Sequence, residues 1–294
     1  MPKVLIIGEH GQLAQSLKKL QWPVGLDLDF LGRRRLPTFP DAGARAAVEE
    51  LKPALVLNAA AYTGVDRAES EPAAARMLNA DLPAALASVC GALDIPLVHI
   101  SSDYVFDGEK RSPYLETDAP NPLSIYGAAK LEGDRSLEQA ELRRWAILRA
   151  SWVVSEIGDT FPVKLLRRAR AGEALRVVDD QWGCPTAARE LARAMQAVGL
   201  RLLDGDCSAL GLFNFCGATE MSWHGFAEML LTAGEPLGLK RPLLQAISGA
   251  ELQAPARRPA YSVLSCAHIK QACGLSGAAI GDDIDRIVRA IVVG

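Results

Sequence analysis

The sequence predicts an α/β protein whose first half is a Rossmann-like, doubly wound parallel sheet. Short apolar runs alternate with segments of helical periodicity over residues 1–150, as in a parallel sheet with helices on both faces. Most of these runs are continuously apolar, which is typical of strands buried on both sides. The first run leads directly into a turn with two glycines, Gly8 and Gly11, and then into a helical segment. That order is characteristic of dinucleotide-binding folds.

The strands and helices of this first half follow from their apolar patterns. We predict strands at residues 3–7, 24–31, 55–57, 97–100 and 146–148. Apolar residues at intervals of three and four predict helices at residues 12–20, 42–51, 83–90 and 125–142. We therefore assign residues 1–150 to an NAD(P)-binding, Rossmann-like domain.

After about residue 150 the alternation loosens, and turn-rich loops separate shorter elements. We predict helices at residues 161–171, 187–203, 223–231 and 283–292, the third of them capped by Ser222. Short strands are predicted at residues 175–178 and 212–215. We expect residues 151–294 to form a smaller α/β substrate-binding part that shares a cleft with the first domain. Some of its segments are expected to interleave with that domain.

Composition excludes several classes of protein. The 294 residues are 49% hydrophobic and 23% charged, with a formal net charge of −3. Disordered chains combine low hydrophobicity with high net charge, and a membrane span needs roughly 18 apolar residues. Neither pattern is present, and no secretion signal is recognisable. The slightly negative net charge does not indicate the basic surface that nucleic-acid-binding proteins use. We expect a cytoplasmic protein with neither a membrane nor a nucleic-acid partner.

Six cysteines are scattered through the chain without a C-x-x-C pair, and the four histidines are not suitably placed near them. A zinc site needs clustered ligands of these types. We therefore predict no metal site, and reduced thiols buried as small hydrophobic groups. The cysteines are Cys90, Cys184, Cys207, Cys216, Cys266 and Cys273.

The glycine turn has the chemistry of a phosphate-binding loop. It reads G-x-x-G-x-x-A from Gly8 to Ala14, between a predicted strand and a predicted helix. Glycine lets the backbone turn tightly and approach a pyrophosphate, whose charge the helix N-terminus stabilises. A tight turn without a ligand is the alternative interpretation.

The end of the second predicted strand bears on the choice of cofactor, because this region usually contacts the adenosine ribose. Arg33 can pair with a 2′-phosphate through both guanidinium nitrogens. Asp29 can instead bind a 2′-hydroxyl, but its alternation with Leu28 and Phe30 suits the middle of a strand. We therefore favour NADPH, with NADH tolerated.

A tyrosine and a lysine form the candidate catalytic pair. Tyr126 and Lys130 are four residues apart in a predicted helix, which places them on one face. We expect the ammonium to favour the phenolate and to lower the pKa of Tyr126 from about 10. Ser102 follows the fourth predicted strand, at the sheet edge where ligands bind, and its hydroxyl can bind a substrate carbonyl. The alternative for Tyr126 and Lys130 is a surface pair without a catalytic role, and the alternative for Ser102 is a turn residue at a strand end. The joint occurrence of these motifs in one half of the chain disfavours both alternatives.

On these and further motifs the chain resembles the extended short-chain dehydrogenase/reductase superfamily and, within it, the dTDP-4-dehydrorhamnose reductase family. The resemblance covers nearly the whole chain, and SSDYVFDG and Q-x-G-x-P-T are not general dehydrogenase features. In order, the motifs are GxxGQL from Gly8, NAAAYTGVDRAE from Asn58, SSDYVFDG from Ser101, YGAAK from Tyr126, RASW from Arg149, DQWGCPT from Asp180, SWH from Ser222 and PARRP from Pro255.

The resemblance implies reduction of the C4 ketone of a dTDP-linked 4-keto-6-deoxyhexose, with NADPH as cofactor. It implies Tyr126 as proton donor, Lys130 as its partner and Ser102 as the group that polarises the ketone. With the glycine turn and Arg33, the expected cofactor contacts are Gly8, Gly11, Gln12, Leu13, Arg33, Ala61, Tyr62, Thr63, Tyr126 and Lys130. The expected substrate contacts are Ser102, Asp103, Trp152 and one of Arg257 and Arg258.

The chain departs from the family pattern at two places. Residues 36–41 read L-P-T-F-P-D where an acidic stretch is common, which bears on the adenine side of the cofactor site, and Ala14 replaces a third glycine. Two other functions stay open: a related nucleotide-sugar 4-ketoreductase or epimerase, and a non-catalytic NADP-binding regulatory subunit. Retention of Ser102, Tyr126 and Lys130 speaks against the second. The sequence leaves both a monomer and a homodimer open.

Overall fold

The structure is a computed structural model that describes residues 1–32 and 41–293. The predicted ribose contact Arg33 and residues 36–40 of the unusual stretch lie outside the described residues. The strands are β1 (Lys3–Ile7), β2 (Asp27–Leu31), β3 (Leu55–Asn58), β4 (Leu97–Ser102), β5 (Trp145–Ala150), β6 (Val153–Val154), β7 (Leu175–Val178), β8 (Trp182–Gly183), β9 (Thr186–Ala187), β10 (Gly211–Phe215), β11 (Met221–Ser222) and β12 (Leu244–Ile247).

In the first half of the chain the helices alternate with these strands, as the sequence predicts. The α-helices are α1 (Gln12–Lys18), α2 (Asp41–Leu51), α3 (Val65–Ala68), α4 (Pro72–Arg76), α5 (Leu82–Ala92), α6 (Ile125–Gln139), α7 (Phe161–Arg170), α8 (Ala188–Leu203), α9 (Trp223–Gly234), α10 (Gly249–Leu252), α11 (Ala267–Cys273) and α12 (Gly281–Val292). A π-helical turn spans Met77–Asp81, and a 3₁₀ turn spans Asp103–Val105. Of the described helices, none is both long and apolar enough to cross a bilayer.

Six parallel strands form the central sheet in the order β2-β1-β3-β4-β5-β10. The predicted Rossmann-like α/β class is confirmed. The chain starts in the middle of the sheet at β1, adds β2 on one side, and then continues from β3 on the other. The crevice outside the carboxyl ends of β1 and β3 is therefore the switch point at which such folds bind ligands.

The apolar strands are explained by cores on both faces of the sheet. In β1, Val4 and Ile6 enter one core with helices α1, α8 and α11, while Leu5 and Ile7 enter the other with α2, α5 and α6. Successive side chains of a strand point to opposite faces, so a strand covered on both sides needs apolar residues at every position.

Three elements beyond residue 150, namely β10, α8 and α11, belong to the central sheet and the helices that cover it. Strand β10 pairs with β5 along its full length, and α8 packs against the same sheet face as α1. The apolar pattern predicts the strand at residues 212–215, but a pattern cannot name the strand it pairs with. The remaining C-terminal helices, α7, α9 and α12, bury a separate core.

Several predicted boundaries shift for local reasons. Strand β2 begins at Asp27 instead of residue 24, because Val24 is exposed and Gly25 has a φ of 95° in a turn. Helix α6 ends at Gln139 instead of residue 142, where Ala140 is extended. The Ser222 cap of α9 is confirmed, since its side chain accepts a hydrogen bond from the Gly225 amide.

Helix α6, which carries Tyr126 and Lys130, lies against the π-helical turn through a glycine. A Cβ atom on Gly133 would lie 2.2 Å from the carbonyl oxygen of Asn79. Gly133→Ala should therefore lower the free energy of unfolding by about 1–3 kcal/mol, as overpacking does. Urea denaturation measures this. Gly225→Ala is the matched helical control, because its Cβ would meet Ser222 Oγ only at 3.5 Å. Equal stability of the two variants would contradict the close approach.

Candidate active site

The switch point brings together the loops that follow β1 and β3. Gly8 has a φ of +105°, and a Cβ atom there would lie 3.3 Å from the Ala60 backbone nitrogen. Its amide donates to the Leu31 carbonyl at 3.0 Å. Glycine is thus favoured both by its backbone conformation and by the neighbouring loop.

The start of α1 fits an anionic group of a dinucleotide. Gly11 is the N-cap of α1 and provides no side-chain capping bond, and a Cβ atom on it would meet nothing within 4 Å. The space beside this turn is therefore open, and helix N-termini stabilise phosphate charge. The residues present thus fit the diphosphate of a nicotinamide cofactor.

Gln12 and Leu13 turn their side chains away from this opening. Gln12 Nε2 donates to the Val153 carbonyl at 3.0 Å, and its Oε1 accepts from Ser155 Oγ at 2.9 Å. Leu13 is buried in the core beside the sheet. These two predicted cofactor contacts therefore leave only their backbone to face a ligand, and Gln12 ties the turn to the segment after β5.

A buried asparagine shapes the loop that contains Ala61, Tyr62 and Thr63. The Tyr62 amide donates to Asn79 Oδ1 at 2.9 Å, and Asn79 Nδ2 donates to the Tyr62 carbonyl at 3.0 Å. The Tyr62 ring belongs to the core, and its hydroxyl donates to Glu71 at 2.6 Å. Thr63 is exposed. Sequence reasoning missed Asn79, whose only signal is an amide within a helical segment.

Ser102, Tyr126 and Lys130 lie together where β4 ends and α6 begins. Ser102 Oγ accepts from the Tyr104 amide at 3.2 Å and donates to Asp103 Oδ1 at 3.1 Å. A Cβ atom on Gly127 would lie 2.2 Å from the Tyr104 carbonyl oxygen, so α6 lies directly on the turn after β4. The Tyr104 and Tyr126 rings consequently meet edge to face, with centroids 5.9 Å apart.

The expected lowering of the Tyr126 pKa by Lys130 is wrong. Burial raises the pKa of Tyr126 to about 12, and the Ser102 hydroxyl offsets this only in part. Lys130 is 1% exposed, and its Nζ donates to the Ile100 carbonyl at 2.6 Å. Burial also lowers the pKa of Lys130 to about 8. The low-dielectric surroundings that bring the pair together thus penalise both charged forms, and Tyr126 is protonated at neutral pH.

A buried ion pair lies one helical turn beyond Lys130. Arg149 Nε is 3.0 Å from Asp134 Oδ2, and both side chains are buried. Burial raises the pKa of Asp134, while Asp134 favours the charged form of Lys130. The pair fixes α6 to β5 beneath the site.

Asp103 connects three serines from distant parts of the chain. It is 2% exposed and accepts from Ser102 at 3.1 Å, Ser151 at 3.0 Å and Ser262 at 2.6 Å. Burial raises the pKa of Asp103 to about 6, against the three hydroxyl hydrogen bonds that lower it. The structure thus places the predicted substrate contact beneath Ser102, with both carboxylate oxygens already bonded.

Trp152 is held in an unusual backbone conformation. Its φ is 44°, which is rare for a bulky residue and is associated with functional sites. Its indole stacks on Trp223 with centroids 3.6 Å apart, and a Cβ atom on Gly183 would lie 2.4 Å from it. The Thr186 amide donates to the Trp152 carbonyl at 3.0 Å. Sequence reasoning assigned no role to Trp223 or Gly183, although both stand in the quoted motifs.

The structure distinguishes the two candidate arginines. Arg258 makes two hydrogen bonds to the Asp66 carboxylate, at 2.9 and 2.8 Å. Arg257 is exposed and lines a surface pocket of about 420 Å³ together with Asp180 and Gln181. Arg258 lines the same pocket, but its guanidinium is paired with Asp66, whereas no carboxylate among the described residues pairs with Arg257.

Comparisons with known proteins agree with this geometry. A family profile described as "RmlD substrate binding domain" matches residues 2–292. The dTDP-4-dehydrorhamnose reductase of Sinorhizobium fredii is 36% identical over 99% of this chain and 98% of its own length. That of Burkholderia thailandensis is 38% identical over 93% of both chains.

Solved structures with a similar fold include members of the same family. The crystal structure of dTDP-4-dehydrorhamnose reductase from Bacillus anthracis, in complex with NADP, superposes with a TM-score of 0.88 and 27% identity. The alignment covers 98% of this chain and 99% of that one. The chain belongs to the dTDP-4-dehydrorhamnose reductase family.

Proposed function

We propose that this chain reduces the C4 ketone of dTDP-4-dehydro-β-L-rhamnose with NADPH, giving dTDP-β-L-rhamnose. The observation that carries the proposal is the grouping of Tyr126, Ser102 and Lys130 at the carboxyl ends of the strands, on the same side of the sheet as the glycine turn at the switch point. The names of the relatives supply the sugar nucleotide. We place this reaction in the cytoplasm, where thiols such as the six unpaired cysteines stay reduced.

The cofactor assignment is supported by the fit of the loops and by the NADP of the Bacillus anthracis relative. When bound, NADPH supplies the hydride. Gly8 and Gly11 would admit its diphosphate, and Ala61 and Thr63 would line the adjoining wall. Arg33 would bind the 2′-phosphate, which favours NADPH over a tolerated NADH. Lys130 would hold the nicotinamide ribose near Tyr126.

In this proposal each residue of the catalytic group has one task. The Ser102 hydroxyl, whose single hydrogen is donated to Asp103 in this structure, would turn that hydrogen to the ketone oxygen and orient it, while the Tyr104 amide holds Ser102 Oγ in place. Tyr126 donates its hydroxyl proton to the same oxygen as negative charge develops there. The raised pKa of Tyr126 is consistent with this role, since a proton donor must be protonated before the reaction.

The substrate side of the cleft would be formed by Trp152 and Arg257. Trp152 is buried and stacks on the half-buried Trp223, so the pair would present a rigid apolar surface to the deoxyhexose mainly through Trp223. The free guanidinium of Arg257 would bind the diphosphate, whose oxygens match its planar donors. Arg258, paired with Asp66, would fix the loop that presents Arg257.

The proposed reaction is tested by following NADPH absorbance after addition of enzymatically made dTDP-4-dehydrorhamnose. We expect stoichiometric oxidation of NADPH and formation of dTDP-rhamnose. Binding of NADPH without turnover of any dTDP-4-ketohexose would instead favour a regulatory subunit, and turnover of another 4-ketohexose alone would favour a different deoxysugar pathway.

Tyr126→Phe removes the proton donor but keeps the ring. We expect turnover to fall by about 10²–10⁴-fold while NADPH affinity, measured by fluorescence titration, changes little. Tyr261→Phe is the matched control, since its hydroxyl binds Glu220, and it should keep normal turnover. Near-normal activity of Tyr126→Phe would refute the assignment.

Asp103 should make stability depend on pH in a defined direction. Its pKa is about 6 in the folded protein against an ordinary 3.8, so its contribution to stability is full below about pH 4 and is lost as pH rises through about 6. Relative to Asp103→Asn, the wild type should lose up to roughly 3 kcal/mol of unfolding free energy across this range. Urea unfolding at a series of pH values measures the difference, and a constant difference would contradict the raised pKa.

Arg257→Ala should raise the KM for the sugar nucleotide roughly tenfold or more with little change in kcat, because a charge-assisted hydrogen bond to a diphosphate is lost. Arg135→Ala, an exposed arginine on α6, is the control. Arg258→Ala should instead reduce stability, since it breaks the pair with Asp66. An unchanged KM in Arg257→Ala would remove this residue from the substrate site.

A further inference from the structure

Three of the six cysteines meet in the folded chain. Cys216 follows β10 and Cys266 precedes α11, and their sulfur atoms lie 3.6 Å apart. Cys184 packs in the same buried cluster as Cys216. The sequence shows these thiols as scattered, because 32 and 50 residues separate Cys216 from Cys184 and from Cys266. They are thus a tertiary cluster with no sequence motif.

The two closest thiols have different surroundings. Cys216 is buried, and hydrogen bonds with Cys184 and Cys266, together with burial, raise its pKa. Cys266 is partly exposed, and its sulfur accepts the Cys216 backbone amide at 3.2 Å. Hydrogen bonding from the Cys216 thiol and from this amide lowers the pKa of Cys266. A partly exposed sulfur whose thiolate is stabilised has the properties of a reactive cysteine.

We propose that Cys216 and Cys266 form an oxidation site that reacts with peroxides to give a disulfide. The Cys266 thiolate attacks one peroxide oxygen, the O–O bond breaks, and water or an alcohol leaves as the sulfenic acid forms. The Cys216 sulfur then attacks the sulfenic sulfur, and a second water leaves with the thiol proton. Two electrons pass from the two sulfurs to the peroxide. The sulfurs need only move from 3.6 Å to a bond of about 2.05 Å.

The bond would close, at the central sheet, a loop that contains residues of the substrate side of the cleft. It would join the end of β10 to the start of α11 and enclose residues 217–265 in a covalent loop. That loop contains Arg257 and also Ser262, whose hydroxyl donates to Asp103. Closing such a loop restricts the unfolded chain, so the oxidised protein should unfold at higher urea concentration than the reduced one.

The test uses the full-length protein treated with hydrogen peroxide, then alkylated and digested. We expect a linked Cys216–Cys266 peptide, two hydrogens lighter than the separate peptides and released by dithiothreitol. It should form before Cys207 oxidises, because hydrogen bonds stabilise the Cys266 thiolate. Cys207, the exposed thiol outside the cluster, serves as an internal control. The urea midpoint should rise with the linked fraction. A Cys184–Cys216 link, or oxidation of Cys207 with no link, would overturn the proposal.

Three variants separate the roles of the thiols. Cys216→Ser should stop at a sulfenic acid on Cys266, which dimedone traps and mass spectrometry locates. Cys266→Ser should leave Cys216 reduced, whereas Cys184→Ser should still form the disulfide. A dimedone adduct on Cys216 in Cys266→Ser, or loss of the link in Cys184→Ser, would contradict the assignment. The wild-type peptide map decides the question even where a variant folds poorly.

Discussion

The geometry of the candidate site depends on the hydrogen bonds that the buried carboxylate of Asp103 accepts from three serines. Its serine partners come from the end of β4, from the segment after β5 and from the C-terminal segment that contains Arg257. A buried charge is costly unless hydrogen bonds surround it. The three hydroxyls therefore keep these segments together, and Ser102 is oriented as part of the same network.

Burial also sets the protonation of the groups around the site. Tyr126 and Lys130 share a poorly solvated region above the Asp134–Arg149 ion pair. Desolvation disfavours a phenolate and an ammonium alike, so the tyrosine pKa rises and the lysine pKa falls. The tyrosine hydroxyl therefore carries its proton at neutral pH, as a proton donor must.

The slightly acidic chain, with a net charge of −3, binds anionic ligands in our proposal through a few placed groups. The open turn at Gly11 and the free guanidinium of Arg257 are such groups, whereas Arg258 is neutralised by Asp66. In our proposal these neighbouring arginines have different tasks, because within the described residues only Arg258 has a carboxylate partner. Asn79 and Ser262 stand outside the quoted motifs, and Ser151 and Trp223 stand inside them without a sequence pattern that indicates which residues they contact.

The fold class, the glycine turn and the positions of Ser102, Tyr126 and Lys130 are predictable from the amino-acid sequence. These features depend on periodicity and on short spacings, which local geometry fixes. The pairing of β10 with β5, the burial that reverses the expected pKa shift of Tyr126, and the meeting of Cys216 with Cys266 are visible in the folded chain alone. Contacts between distant segments, and the solvent that these contacts exclude, depend on how elements pack and not on which elements form.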